Sequence, residues 1–264
     1  MLFLFGVPPV FSIELFPPEG IFKPLIADPR WPHFSMAYQR YIDDDELADV
    51  ASVSFGEIFN FIQSNAFYGK YDIGIQGAVF AVFNLDAPSK DLVNADYFVG
   101  IPISYAYDQM SMQVRVFHQS SHLGDEFLLR NRVERINLSY ESIDLKTSYV
   151  IKNAFRIYAG SGYIFHKEPQ DLKPWLLHYG IEYQCPCIYV NGKLRPVIGA
   201  DFKQWQEVEW STDSSLHFGF QFENPKLDER KIQLLIEYFT GHSPNGQFFD
   251  RKIEYIGTGV HFYF

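Results

Sequence analysis

At 264 residues the chain fits one domain of the barrel class as well as two small ones. Its formal net charge of −10, with no run of Lys or Arg, excludes a surface that tracks a phosphate backbone, so no nucleic-acid partner is expected. Aromatic residues make up 18% of the chain, yet mean hydropathy is only −0.13 and no run of 18 apolar residues occurs, so a transmembrane helix is excluded. A transmembrane barrel leaves this signature, because only alternate residues meet lipid.

Residues 1–12 are apolar and resemble the tail of a secretory signal without a basic start. Residues 13–33 contain Pro17, Pro18, Pro24, Pro29 and Pro32, and read as an irregular arm before the barrel, since proline cannot sit in a central ladder. From Phe34 onward the apolar period is two. In 71–84, Ile73, Ile75, Val79 and Phe83 share a face, as do Tyr97, Val99, Ile101, Ile103 and Tyr105 in 96–107. In 175–183, Trp175, Leu177, Tyr179, Ile181 and Tyr183 oppose His178, Gly180 and Glu182. In 215–223, Leu216, Phe218, Phe220 and Phe222 oppose Ser215, His217, Gly219, Gln221 and Glu223. Glu57 interrupts the stripe of Val53, Phe55, Phe59 and Phe61.

Twelve strands follow: about 34–41, 50–63, 71–84, 96–107, 110–120, 134–150, 154–166, 174–184, 193–205, 213–223, 229–240 and 251–264. The predicted fold is a closed, antiparallel transmembrane β-barrel over 34–264. Both ends of the barrel segment lie on one side, and mostly longer connections lie on the other, the usual asymmetry of bacterial outer-membrane barrels. Alternation alone leaves open which face is outside. Twelve strands make a barrel too wide for one row of side chains to fill, and aromatic residues gather near the stripe ends, so the apolar face is assigned to lipid. The chain ends Ile256, Thr258, Val260, Phe262, Phe264. That ending resembles the C-terminal assembly signal of outer-membrane proteins, which implies the barrel-assembly machinery as a partner.

Three runs resemble an uncharacterised family of Gram-negative outer-membrane proteins, a domain of unknown function. They are Phe22-Lys23-Pro24-Leu25-Ile26-Ala27-Asp28-Pro29-Arg30, Phe83-Asn84-Leu85-Asp86-Ala87-Pro88-Ser89, and His118-Gln119-Ser120-Ser121-His122-Leu123-Gly124-Asp125-Glu126-Phe127. The resemblance implies the barrel fold and the outer membrane, and no activity.

The third run carries the candidate chemistry. His118 and Ser120 stand at i and i+2, hence on one strand face, with Val114 and Val116. A His there is a base and a Ser a nucleophile, and a third polar group must orient the imidazole. Asn137 is the first choice and Glu141 the second, provided that no bulge near Ser142 reverses the parity of the next strand. The arrangement is similar to outer-membrane phospholipase A and lipid A deacylases, which carry His-x-Ser followed by Asn on a barrel's outer surface; here Ser121 takes the place of that Asn. His122, Asp125 and Glu126 are candidates for calcium beside such a site.

The other polar groups have plainer readings. Asp43, Asp44, Asp45 and Glu46 form an acidic outer loop, either solvated or in contact with cations that bridge lipopolysaccharide. His178, Glu182, Arg195, Asp201, Lys203, His217 and Glu237 are expected in the lumen, paired with one another, while Gly199, Gly219, Gly257 and Gly259 leave space for a pore. Cys185 and Cys187 are read as two thiols or one strained pair in a turn, since two thiols with no nearby His are too few for a metal. Two function classes stay open: an acyl-ester hydrolase of outer-leaflet lipid, or a non-enzymatic structural or small-solute channel barrel.

Overall fold

The computed structural model describes residues 13–263, apart from 43, 45, 67, 132, 191–192 and 224–230. The signal-like residues 1–12 and the terminal Phe264 therefore lie outside the described residues. The strands are β1 (Ile13–Leu15), β2 (Phe34–Tyr41), β3 (Asp49–Ala66), β4 (Gly69–Asn84), β5 (Leu92–Tyr107), β6 (Met110–Leu123), β7 (Ser139–Ile151), β8 (Phe155–Glu168), β9 (Trp175–Gln184), β10 (Leu194–Trp205), β11 (Thr212–Phe222), β12 (Lys231–His242) and β13 (Lys252–Tyr263). One helix, α1 (Asp125–Asn131), lies between β6 and β7. From β2 to β13 each strand pairs antiparallel with its successor, and β13 pairs back onto β2 with Phe262 opposite Phe34, which closes the ring of twelve. Closure satisfies every ladder without an edge, as a chain in lipid requires.

The two faces settle the orientation. Phe218 is 50% exposed and Ile101 54%, whereas Gln233 and Glu237, on the inward face, are 3% exposed. A barrel that turns its aliphatic and aromatic side chains outward and buries Gln, Asp, Glu and His is built for an apolar solvent. The strand ends bearing the longer connections, α1 among them, are called outer here, following the asymmetry of bacterial barrels.

The Pro-rich arm is not peripheral. β1 pairs with the inner end of β3, Ile13 opposite Ser64, on the side that the short β2 leaves unpaired. The chain then enters the lumen. The Ile21 N–H donates to Asp72 Oδ2 (2.6 Å) and the Ile26 N–H to Glu182 Oε1 (2.6 Å). Arg156 Nη2 donates to the Pro24 carbonyl (2.9 Å), and His217 Nδ1 to that of Ile26 (2.9 Å). Asp28 pairs with Lys203, and Arg30 with Asp96 (2.7 Å). Phe22, Leu25 and Trp31 pack with Tyr158, while Ile26 packs with Val197 and Leu235. The segment has no sheet partner in the lumen, so barrel side chains satisfy its backbone. The space that inward glycines seemed to leave for a pore is partly the plug's: a Cβ on Gly199 would come within 3.1 Å of Ala27 Cβ and 3.2 Å of Ile26 Cβ. The lumenal charges accordingly pair with the plug as well as with one another.

The outer end is also covered. Tyr41, Leu47, Val50, Val82, Val93, Phe127, Phe239, Ile253 and Tyr255 form an apolar cap. The loop after β12 bends inward, where the Gly246 N–H donates to Asp96 Oδ2 (3.0 Å) and Gln247 Nε2 to the carbonyls of Ser121 (3.0 Å) and Ile136 (2.8 Å). Of the acidic loop, Asp44 and Glu46 both bind Arg251. Cys185 and Cys187 are joined as a disulfide after β9, the paired alternative of the two read from the sequence.

Candidate active site

His118 and Ser120 lie on β6, opposite Val99 and Tyr97 of β5 on one side and Glu141 and Ser139 of β7 on the other. Their parity is that of Val116, which is 46% exposed, so both face outward. Ser121 has the opposite parity; it is buried and donates from Oγ to Asn94 Oδ1 (3.1 Å).

On β7 the β6 register runs unbroken from Ser139 to Tyr149, so Ser139, Glu141 and Ile143 face outward, and Leu138 and Tyr140 pack inside. A bulge does exist at this level, but on β8. Glu141 pairs with His166 and Ser142 with Ile164, which leaves Phe165 extra. The bulge puts two successive side chains outside, with Phe165 54% and His166 74% exposed. It thereby aims His166 at β7.

The result is a three-residue chain across the outer wall. His118 Nδ1 lies 2.8 Å from Glu141 Oε1, and His166 Nδ1 lies 2.5 Å from Glu141 Oε2. With Glu141 ionised, both imidazoles donate from Nδ1, and a neutral His118 keeps its lone pair at Nε2. Of the two residues expected beside His118, Glu141 is the one in contact with it. Asn137 is exposed in the irregular stretch before β7, and among the described residues no hydrogen bond joins it to His118. Ser120 and His118 share a face, but no hydrogen bond links them in this structure. His166 escaped the sequence reading because its alternation with Phe165 assigns it to the lumen; only the bulge turns it outward.

Asp125 and Glu126 open α1, whose Phe127 is buried in the outer cap. Glu126 Oε2 accepts from Ser89 Oγ (2.7 Å). His122 faces outward, edge-on to Tyr97, with Arg135 Nη2 at 3.5 Å. Asp91 Oδ1 lies 2.6 Å from the same Ser89 Oγ, so Glu126 shares a small oxygen cluster with Ser89 and Asp91, in which, among the described residues, neither Asp125 nor His122 takes part. Among the described residues, the one group of three such side chains close enough to hold a metal is Asp28, His178 and Asp201, deep in the lumen. Their atoms are already engaged: Lys203 pairs with Asp28, while Tyr158 OH donates to Asp201 Oδ2 (2.5 Å) and His178 Nε2 lies 2.5 Å from the same oxygen. Burial raises the Asp28 carboxyl, but the charges of Lys203 and His178 outweigh it and hold Asp28 well below the usual carboxylate range.

Residues 8–264 match the family described as "Protein of unknown function (DUF1207)". The chain belongs to that family. No curated protein is similar to it in sequence. Among solved structures, outer membrane phospholipase A from Escherichia coli is similar with a TM-score of 0.56 and 10% identity, over 90% of this chain and 92% of that one. The Salmonella typhi outer membrane phospholipase, a dimer with bound calcium, gives a TM-score of 0.59 and 10% identity over 88% and 91%. NanC porin gives 0.49, with 9% identity over 88% and 100%. At these identities the likeness is one of fold: an outer-membrane β-barrel.

Proposed function

We propose that this DUF1207 protein resides in the outer membrane and hydrolyses acyl esters of outer-leaflet lipid, with Ser120 as nucleophile, His118 as base and Glu141 as the group that orients the imidazole. The observation that carries the reading is the 2.8 Å contact between His118 Nδ1 and Glu141 Oε1 on the lipid-facing wall. Polar side chains turned towards lipid are costly away from the interface, and a His–carboxylate pair that leaves Nε2 free beside a serine is the arrangement that acyl transfer uses. Two of the structural neighbours are named phospholipases, and the calcium in one title belongs to that protein. No step below is routed through a metal.

The i, i+2 separation is roughly 6.6 Å along a strand, which a serine and an imidazole span by rotating towards each other. Ser120 Oγ attacks the ester carbonyl and its proton passes to His118 Nε2. The tetrahedral intermediate expels the alcohol, which takes that proton. Water then attacks the acyl-serine with His118 again as base, releasing the fatty acid and restoring Ser120. Substrate reaches the site by lateral diffusion and never crosses the lumen. Lipopolysaccharide is a partner on this reading, and the apolar alternation of β13 is what the assembly machinery would bind.

The deciding assay is release of fatty acid from phospholipid and lipid A in mixed micelles. Wild type releases it and Ser120→Ala does not, with heat modifiability unchanged. Loss of activity on Ser121→Ala alone, or no hydrolysis of either lipid class by the wild type, overturns the proposal. A second reading, a gated solute channel, draws on a lumenal pocket of about 130 Å3 between the plug and the outer loops, lined by Arg30, Phe98, Arg115, Trp205 and Phe249 among others. It requires the plug to leave, and conductance on deletion of residues 17–33 tests it.

A further inference from the structure

On the outer wall beside His118 a shallow groove of about 430 Å3 is lined by Phe55, Gly77, Val79, Tyr97, Val99 and His118. Its origin is one missing side chain. Gly77 has the outward parity of Ile75 and Val79, and it stands opposite Glu57 of β3 and Val99 of β5. Val99 in turn stands opposite His118, so a single cross-strand row runs Gly77, Val99, His118, Glu141, His166. Apart from Gly77, this stretch of β4 and β5 presents Ile75, Val79, Tyr97 and Ile101 to lipid, and the gap is a break in that belt. Two inter-strand spacings of about 4.8 Å separate His118 from Gly77, roughly 10 Å in all.

We infer that this groove seats the acyl chain of the ester cleaved at Ser120, which makes long-chain lipid the preferred substrate class. The inference rests on the proposed hydrolase. The occupant follows from continuity: the groove interrupts the lipid-facing belt, its walls at Phe55, Val79, Tyr97 and Val99 are aromatic and aliphatic, with Glu57 only at the edge across from Gly77, and one end is the candidate base. With the carbonyl at Ser120 and His118, the chain passes Val99, fills the notch at Gly77 and meets Phe55. A four-carbon acyl group stops short of Gly77, whereas a sixteen-carbon chain covers it.

Gly77 makes the test clean. A Cβ built there has only the Phe98 carbonyl oxygen nearby, at 3.7 Å, so a side chain is accommodated without displacing the sheet. Gly77→Phe fills the groove and lowers hydrolysis of palmitoyl esters by about tenfold, while butyrate esters are cleaved within about twofold of wild type. Equal effects on both chain lengths, or no effect on palmitoyl esters, overturn the inference. Binding is read apart from activity with a lysophosphatidylcholine carrying a diazirine near the acyl terminus, photolysed in vesicles on the Ser120→Ala protein. Label concentrates on Phe55, Val79 and Tyr97 over Leu216, Phe218 and Phe220 of β11, and Gly77→Phe disperses it. Even labelling of the two walls refutes the groove whatever the hydrolysis assay gives; concentrated labelling without hydrolysis by the wild type sinks the hydrolase and leaves the groove standing.

Discussion

Removing the Trp31 side chain should release the plug, and the structure sets the size of the effect. Trp31 is 0% exposed, stacks on Phe22 with centroids 5.9 Å apart, and shares a cluster with Leu25 and Tyr158. Truncating a buried tryptophan to alanine costs about 3–5 kcal/mol. At about 1.4 kcal/mol per factor of ten, the undocked population rises by roughly two to three and a half orders of magnitude. Trypsin reads this population. Lys23 precedes Pro24 and is a poor site, so Arg30 is the reporter within the plug, and while docked it is paired with the fully buried Asp96. When opening is fast relative to cleavage, the cut rate after Arg30 follows the opening equilibrium. Trp31→Ala should therefore be cut there at least about a hundredfold faster than wild type, after normalisation to peptides of the two sequences. Equal rates, or a wild type cut at Arg30 as fast as its free peptide, would refute the docked plug.

Other consequences are as direct. Burial first, and the neighbouring His261 second, push His33 down to about 3, so docked His33 stays neutral while the undocked group takes up a proton below about 6.5. Docking is therefore unaffected by His33 above that pH and weakens by about 1.4 kcal/mol per unit as pH falls towards 3, visible as faster amide exchange at Ile26 after intrinsic-rate correction; exchange that slows on acidification contradicts this. Gly199→Leu places a side chain where Ala27 and Ile26 sit, and should expose Arg30 to trypsin as Trp31→Ala does. Glu141→Gln should lower lipid hydrolysis by about a hundredfold or more, with Asn137→Ala changing it little, in the kcat of fatty-acid release.

The barrel was legible because lipid imposes a two-residue period that few other forces disturb. β2 begins at Phe34 and ends at Tyr41 as the alternation predicts, and β9 to β13 agree to within about two residues. The plug was not legible in place. Its prolines mark it as irregular, but nothing in a Pro-rich run says whether it lies outside the barrel or threads it; that is decided by partners far away in sequence, such as Glu182 and Lys203. Of the candidate site, the shared face of His118 and Ser120 followed from parity alone. The partner of His118 depended on register between two strands joined by a long connection, which no local pattern sets. His166 depended on a single bulged residue, Phe165.

The claim that this outer wall is a hydrolytic site is tested most directly by trapping the nucleophile. The folded protein in lipid micelles, treated with a long-chain alkyl fluorophosphonate and mapped by peptide mass spectrometry, should carry one adduct, on Ser120, formed at least about a hundredfold more slowly in His118→Ala. An adduct on Ser121 or Ser139 instead, or labelling of Ser120 that does not depend on His118, would contradict the account.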